Sequence, residues 1–385
     1  MRICHVSPHL PPDQAANALL PAELGAWLRA AGHDVSFVTQ TPAQGKTADD
    51  STLPGPVVRV AGRGTPSALA RVTRLHSLRR AHEITAALDR AAGTAELLHL
   101  HSNGLIIEVA AAWAERRRLP YVLTLYGTEI WHYKRRKIFD PFTRAYRGAR
   151  EVTFYSQRLL DRARELGLGR NHLSVVYPAV SAAFTPADAA TRARWRGELG
   201  ITEPLVVLNV KRLHELAGQR FLIEAFARLA RTRRDVRLVI CGTGPLHAAL
   251  GQQARDLGIA DRVTFAGLVP NAEVARFAAV ADVFALPSLL EALPTVAVEA
   301  LSAGTPVVSA DHPGGVELHE IFGDDVLVVA RGQVDPLAAA LTDSLAAPAR
   351  TQPDTAMRLR TLFSPEAVRR QYEAVYERAL KRTIS

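Results

Sequence analysis

Two cysteines, two methionines and five lysines are all that 385 residues hold of those types, and aromatics make up only 6%. Cys4 and Cys241 each border an apolar run, "RICHV" and "RLVICG", so the sequence predicts buried free thiols in a reducing cytoplasm and no disulfide scaffold. No Cys/His cluster has zinc-ligand spacing. No stretch approaches 18 uninterrupted apolar residues, which argues against a membrane-spanning helix. The N-terminus "MRICHVSPHLPP" lacks the long apolar region of a secretion signal. Asp-x-Asp is absent, and with it the usual carboxylate pair for a nucleotide-bound divalent ion. The segment "HVSPHLPPDQAAN" contains no G-x-G-x-x-G turn, which argues against a dinucleotide-dependent epimerase or dehydrogenase.

What is present is basic. The net charge is +9, and residues 1–190 carry 24 Lys+Arg against 16 Asp+Glu, while the rest is nearly balanced at 23 against 22. The densest spots are "RVTRLHSLRR" (71–80), "ERRR" (115–118) and "KRRK" (134–137). A solvated surface accounts for them as well as contact with an anionic acceptor or a membrane surface does. Nucleic acid fits less well, because aromatics are scarce near these spots and no binding motif occurs.

Short apolar runs alternate with helical patterns from end to end. "RICHVS", "DVSFVT", "ELLHLH" and "PYVLTLYG" in the first half have counterparts in "PLVVLNV", "VRLVICG", "DVFALPS" and "TPVVSA" in the second. Strands alternating with helices predict parallel sheets covered on both faces. At this length two doubly wound α/β domains are expected, 1–180 and 195–363, joined by the Pro- and Ala-rich stretch 177–195. Ligands of such sheets bind beyond the carboxyl ends of the strands.

One segment at such an edge is unusual. "SLLEALPTVAVEALSAGTPVV" (288–308) places Glu291 and Glu299 eight positions apart among apolar residues. Pro294 suits the first turn of a helix that Gly304 closes, so Glu291 precedes the helix N-terminus and Glu299 lies inside it. Burying a carboxylate costs several kcal/mol unless donors meet it. The hydroxyls of a sugar and a ribose would serve.

This segment resembles the E-x7-E signature of family-4 glycosyltransferases of the GT-B fold. "VVLNVKRLHELAGQRFLIEAFARL", "LVICGTGPLHAAL", "RVTFAGLVPNAEVARFAAVADVFALPS" and "SAGTPVVSADHPGGVELHE" follow the family's C-terminal domain in order and spacing. The resemblance is strong over about 205–330 and weaker before it. It implies two Rossmann-like domains facing across a cleft, with the closing helix 364–385 packed back on the first. The second domain would bind a nucleotide-diphosphate sugar, UDP- or GDP-linked, as co-substrate, with no resident cofactor and no metal.

By the same resemblance Arg212 holds the diphosphate and Glu291 grips the transferred sugar. Backbone groups of Ala292, Leu293, Pro294 and Thr295 lie near the phosphates, and Glu299 holds the ribose. Gly242 and Gly244 permit close backbone approach, and Val269 belongs to the loop framing the base. The family's usual lysine before glycine is replaced by Ala217-Gly218, with Lys211 or Arg220 as candidate stand-ins.

On the strand "ELLHLHSNG", His99 and His101 share one face. Read alone, they are metal ligands or satisfied core residues, and the apolar run favours the core. The resemblance assigns His101 a contact with the sugar. In "LTLYGTEIW", Tyr126 stands where the family usually has histidine, and Glu129 is either an acceptor contact or a capping carboxylate. The family's Gly-Gly pair in the first loop is replaced by Ala15-Ala16, which are placed on the acceptor side.

The implied activity is a retaining, metal-independent transfer of a hexose-type sugar to a hydroxyl of a glycan, a lipid-linked acceptor or a small metabolite. Its setting would be the cytoplasm or the inner face of the membrane. A degenerate, non-catalytic sugar-nucleotide binder is the rival, suggested by the missing Gly-Gly and lysine.

Overall fold

The computed structural model describes residues 1–13, 16–42, 48–61, 75–135, 140–169 and 172–381. The chain divides into two compact units, one of Met1–Pro178 with Pro365–Ser385 and one of Ala179–Ser364. In the first, β1 (Arg2–Ser7), β2 (Asp34–Gln40), β3 (Val57–Val60), β4 (Leu97–His101), β5 (Tyr121–Leu125), β6 (Glu151–Phe154) and β7 (Leu173–Val175) make a parallel sheet. Its order is β3-β2-β1-β4-β5-β6-β7. The second holds β8 (Leu205–Val210), β9 (Val236–Cys241), β10 (Val263–Gly267), β11 (Val283–Leu286), β12 (Val307–Ala310) and β13 (Val326–Val329). These are parallel in the order β10-β9-β8-β11-β12-β13. Each unit is the doubly wound α/β sheet that the alternating pattern predicts. The strand order reverses between β1 and β4 in one and between β8 and β11 in the other, so each has a switch point where the following loops diverge.

Every residue of β4, β5 and β6 is buried, as expected for strands with helices on both faces. Trp113, Tyr146 and Phe154 fill the first core, and Phe226, Leu222 and Ile240 the second. Side-chain caps start several helices: Asp140 accepts from Thr143 N, Ser156 from Leu159 N and Asp188 from Thr191 N. Cys4 and Cys241 are buried free thiols, both pushed up to about 12 by burial. Among the described residues no helix is long and apolar enough to cross a membrane.

The expected linker 177–195 is only partly irregular. A helix runs over Ala189–Glu198 and belongs to the second unit. Arg192 and Arg196, one turn apart, reach Asp282 at 2.9 and 2.7 Å, and that carboxylate also accepts Val206 N at 2.8 Å. Composition misses this helix because its anchor lies some ninety residues downstream.

The closing helix Pro365–Lys381 packs within the first unit. Its Glu373 meets His33 at 3.0 Å and its Tyr376 hydroxyl meets His99 Nδ1 at 2.8 Å.

Candidate functional site

In the second unit the switch point between β8 and β11 gathers the expected groups. The loop leaving β8 carries Lys211 and Arg212, and the loop leaving β11 carries Glu291. Lys211 Nζ lies 2.6 Å from Glu291 Oε1, with both side chains about one-fifth exposed. The carboxylate expected to depend on ligand hydroxyls is therefore met by a lysine of the same unit. The Arg212 side chain is exposed and makes no ion pair among the described residues, while its carbonyl accepts Gln219 Nε2 at 3.2 Å. Of the two stand-ins for the missing lysine, Lys211 reaches Glu291, whereas the Arg220 guanidinium lies 4.4 Å over the Phe221 ring.

Glycines set this geometry. A side chain at Gly242, whose φ is 142°, would collide with the Lys211 carbonyl, and one at Gly244 with the Leu213 carbonyl. The backbone after β9 therefore runs directly against the Lys211–Leu213 loop, tied by Leu213 N to Thr243 O at 3.0 Å.

The loop Glu291–Pro294 leads into the helix Thr295–Ser302, which has no side-chain cap on its first turn. Ala292, Leu293 and Thr295 are half-buried and Pro294 is buried, and Gly304 closes the helix at φ 82°. Glu299 lies half-buried on that helix and is engaged within the protein. The Glu291 carbonyl accepts Gly314 N at 3.1 Å, pinning the loop to the start of the helix Pro313–Phe322. His312 caps that helix, its Nδ1 accepting Gly315 N at 2.9 Å. Burial pushes His312 down to about 4, so the ring is neutral and Nδ1 is free to accept. Val269 is half-buried just beyond β10, after Gly267 at φ 72°.

In the first unit the switch point is lined with imidazoles. His5 on β1 sits beside His99 and His101 on β4, all three essentially unexposed. His101 Nε2 meets His5 Nδ1 at 2.9 Å, and His101 Nδ1 meets the Tyr126 hydroxyl at 2.7 Å. His99 is held by Tyr376 at 2.8 Å and Thr124 at 2.6 Å. Burial holds all three far below the ordinary imidazole range, His5 at about 3.

This corrects the expectation for His101. Both its ring nitrogens are taken by protein groups, so neither is free for a sugar hydroxyl. The three rings bring nitrogen atoms within metal-ligand reach of one another. Protein hydrogen bonds engage five of the six ring nitrogens, and among the described residues no carboxylate joins the cluster to offset an ion's charge. The donor set therefore fits a hydrogen-bonded core better than a cation. His5 was legible as a polar residue in a buried strand, but its pairing with His101 depends on β1 lying next to β4.

Glu129 is 4% exposed and accepts from Ser102 Oγ at 2.5 Å and Gly127 N at 2.8 Å. It clamps the loops leaving β4 and β5, and Ser102 is held at φ 72°, a left-handed conformation unusual for a non-glycine residue. Of its two sequence readings, this geometry matches the capping carboxylate. Beside it lies a cavity of about 420 Å³ whose lining includes His9, Gln40, Arg80, Asn103 and Thr128. Ala16 opens the helix Ala16–Ala30, and Ala15 lies outside the described residues. Much of the basic stretches 71–80 and 134–137 lies outside them too.

Two family descriptions match the chain: "Glycosyl transferases group 1" over residues 191–360 and "Glycosyl transferase 4-like domain" over 21–179. A 2-deoxystreptamine glucosyltransferase of Streptomyces kanamyceticus is 29% identical over 76% of this chain and 80% of its own length. A GDP-mannose-dependent alpha-(1-6)-phosphatidylinositol monomannoside mannosyltransferase of Mycolicibacterium smegmatis is 36% identical over 52% of this chain and 54% of its own. Among solved structures, HepE of Anabaena in complex with UDP matches at TM-score 0.76 and 20% identity, over 98% of this chain and 100% of that one. A glycosyltransferase from Rickettsia africae matches at TM-score 0.77 and 14% identity over 99% of both chains. At these identities the structural likeness bears on the fold alone.

Proposed function

Because the chain belongs to the family-4 glycosyltransferases of the GT-B fold, we propose that it transfers a hexose-type sugar from a nucleotide-diphosphate sugar to an acceptor hydroxyl. In this reading the configuration at the anomeric carbon is retained and no metal takes part. The observation that carries it is the Lys211–Glu291 pair beside the exposed Arg212 at the β8/β11 switch point.

A diphosphate needs cations and N–H donors, and a sugar needs acceptors for its hydroxyls. Arg212 and Lys211 supply the first, together with the uncapped start of the helix Thr295–Ser302. Glu291 supplies the second, oriented by Lys211, and Glu299 binds the ribose. As the bond between the anomeric carbon and the β-phosphate oxygen breaks, charge grows on the leaving diphosphate, where Arg212 and Lys211 stabilise it most. The acceptor oxygen bonds to the anomeric carbon on the same face, and its proton passes to the departing phosphate oxygen. No protein nucleophile is required. The absence of Asp-x-Asp agrees with cationic side chains carrying out the charge neutralisation that a divalent ion performs elsewhere.

A GDP-mannose-dependent relative and a UDP-bound structural neighbour make both bases candidates for the donor. The first unit receives the acceptor, and its polar cavity with Arg80 suits a hydroxyl-rich molecule, free or glycan-linked. A peripheral contact with an anionic membrane through the basic first half is compatible with a lipid-linked acceptor.

A thermal-shift panel of UDP, GDP, ADP and their sugars tests the reading, since a specific nucleotide raises the melting temperature. Donor turnover with the best sugar nucleotide, measured with and without a chelator and followed by NMR of the product anomer, tests the rest. No stabilisation by any nucleotide would refute the donor-site assignment.

A further inference from the structure

The segment "RTRRDVR" (231–237) puts four arginines into seven residues of a half whose 23 basic and 22 acidic residues nearly balance. It spans the end of the helix Gln219–Thr232 and the start of β9. Arg231, Arg234 and Arg237 line a cavity of about 730 Å³ together with Arg262, Glu203 and Asp261. Glu203 precedes β8, Arg237 stands near the start of β9, and Asp261 and Arg262 precede β10, which places the cavity at the amino-terminal edge of the second sheet. Lys211 and Glu291 follow strands at the carboxyl-terminal edge, roughly 20 Å away along the six residues of β8. The cavity is therefore separate from the candidate donor site.

Its four guanidiniums are not equivalent. Arg237 is committed: Nε and Nη2 donate to the Glu203 carboxylate at 2.7 and 2.5 Å, and Nη1 donates to Thr264 Oγ1 at 3.0 Å. Arg262 is committed as well, with Nη1 donating to the Arg233 carbonyl at 2.9 Å and Nη2 to that of Ala230 at 3.1 Å. It thereby meets carbonyls at the end of the helix, the ordinary reason for a cation in such a place. Arg231 and Arg234 are exposed and have neither hydrogen bond nor ion pair among the described residues. With Glu203 answered by Arg237, the charges of Arg231, Arg234 and Arg262 stand against Asp261 alone, an excess of two positive charges.

A guanidinium fork matches phosphate oxygens, and two uncommitted forks beside a twofold positive excess match a dianion. The volume falls in the range of small-molecule sites, and the buried Ala227, Ala230 and Ile259 add apolar lining for a carbon skeleton. Among the described residues the lining has no aromatic ring on which a base could stack, and Asp261 would repel a continuous phosphate backbone. We propose that this cavity binds a small diphosphate or phosphate ester, gripped by Arg231 and Arg234 with Arg237 and Arg262 fixed in the same lining. The site does not depend on the glycosyltransferase reading, because it shares no residue with the donor groups.

Isothermal titration of the intact protein with inorganic pyrophosphate and with glycerol 3-phosphate, at constant ionic strength, tests the proposal. Pyrophosphate can also reach Lys211 and Arg212, so every titration is repeated in Arg212→Ala. The expected result is saturable binding that survives Arg212→Ala and weakens about tenfold or more in Arg231→Gln/Arg234→Gln. Neither guanidinium has a partner to lose, so without ligand the melting temperature of that double variant should stay within about two degrees of wild type. Arg90→Gln/Arg116→Gln removes two other exposed arginines that lack a partner among the described residues, and it should leave the affinity unchanged. The proposal is overturned by no saturable binding of either probe, or by loss of all binding in Arg212→Ala. Unchanged affinity in Arg231→Gln/Arg234→Gln, or an equal drop in the Arg90/Arg116 variant, overturns it as well. A protein that turns over no nucleotide sugar yet passes these titrations would lose the function proposed above and keep this site.

Discussion

Lys211 Nζ lies 2.6 Å from Glu291 Oε1, and this contact joins the loops on either side of the switch point in the second sheet. It explains how an acidic residue persists in an apolar segment, and it places a cation and a carboxylate where a sugar diphosphate needs both. The pair also makes the two residues mutually dependent.

That dependence is measurable. Lys211→Ala and Glu291→Ala should each lower kcat/KM about a hundredfold or more, and the double variant should lose much less than the product of the two. Initial rates with the preferred donor supply the cycle. Fully additive losses would show that the two groups act separately.

Gly242→Ala forces a side chain against the Lys211 carbonyl at φ 142°. A loss of about 2–4 kcal/mol is expected from collision and strain together. Gly251→Ala, in the helix His247–Asp256 where only the end of Arg255 is near, should instead stabilise by about 0.5–1 kcal/mol. Urea unfolding of the two variants gives the comparison, and similar effects would contradict the close approach.

Asp282 is nearly unexposed and answers Arg192, Arg196 and the amide of Val206. Asp282→Ala leaves two partly buried guanidiniums without their carboxylate, and about 3–5 kcal/mol of stability should go with it. Proteolysis around Ala189–Glu198 should quicken at the same time. Unchanged protection there would mean that the helix is held by other contacts.

Acid should destabilise the protein earlier than its carboxylates alone would require. His5 is held near 3 and His312 near 4, both below the ordinary 6.5 through burial, and His99 and His101 shift the same way. The unfolded chain therefore binds protons that the native chain refuses. Stability is full above about pH 6.5 and declines as pH falls, by about 1.4 kcal/mol per pH unit for each such histidine until its native value is reached. Urea midpoints at pH 7, 6 and 5 should descend in that order. A flat profile would show that the imidazoles take up protons as readily in the folded state as in the unfolded one.

Much of the candidate site was legible before any coordinates. Glu291 precedes a helix and Glu299 lies within it because proline and glycine punctuate the segment, and Arg212 follows a strand because "VVLNV" is apolar and β-branched. The linker was misjudged at Ala189–Glu198, where composition looks irregular but two arginines share a distant aspartate. His101 was placed on the correct strand with the wrong partner, since strand periodicity tells which face a side chain occupies and not what stands beside it.

The sequence by itself determined the two wound sheets, most of their helices and the loops that carry charge, because strand and helix periodicities are local properties of the chain. Only the tertiary structure decided that Lys211 and not Arg220 meets Glu291, that Glu129 is spent on Ser102 and Gly127, and that His5 reaches Tyr126 through His101. Those choices depend on which strands become neighbours. Neighbour order in a parallel sheet comes from crossovers tens of residues long, which no short window of sequence contains.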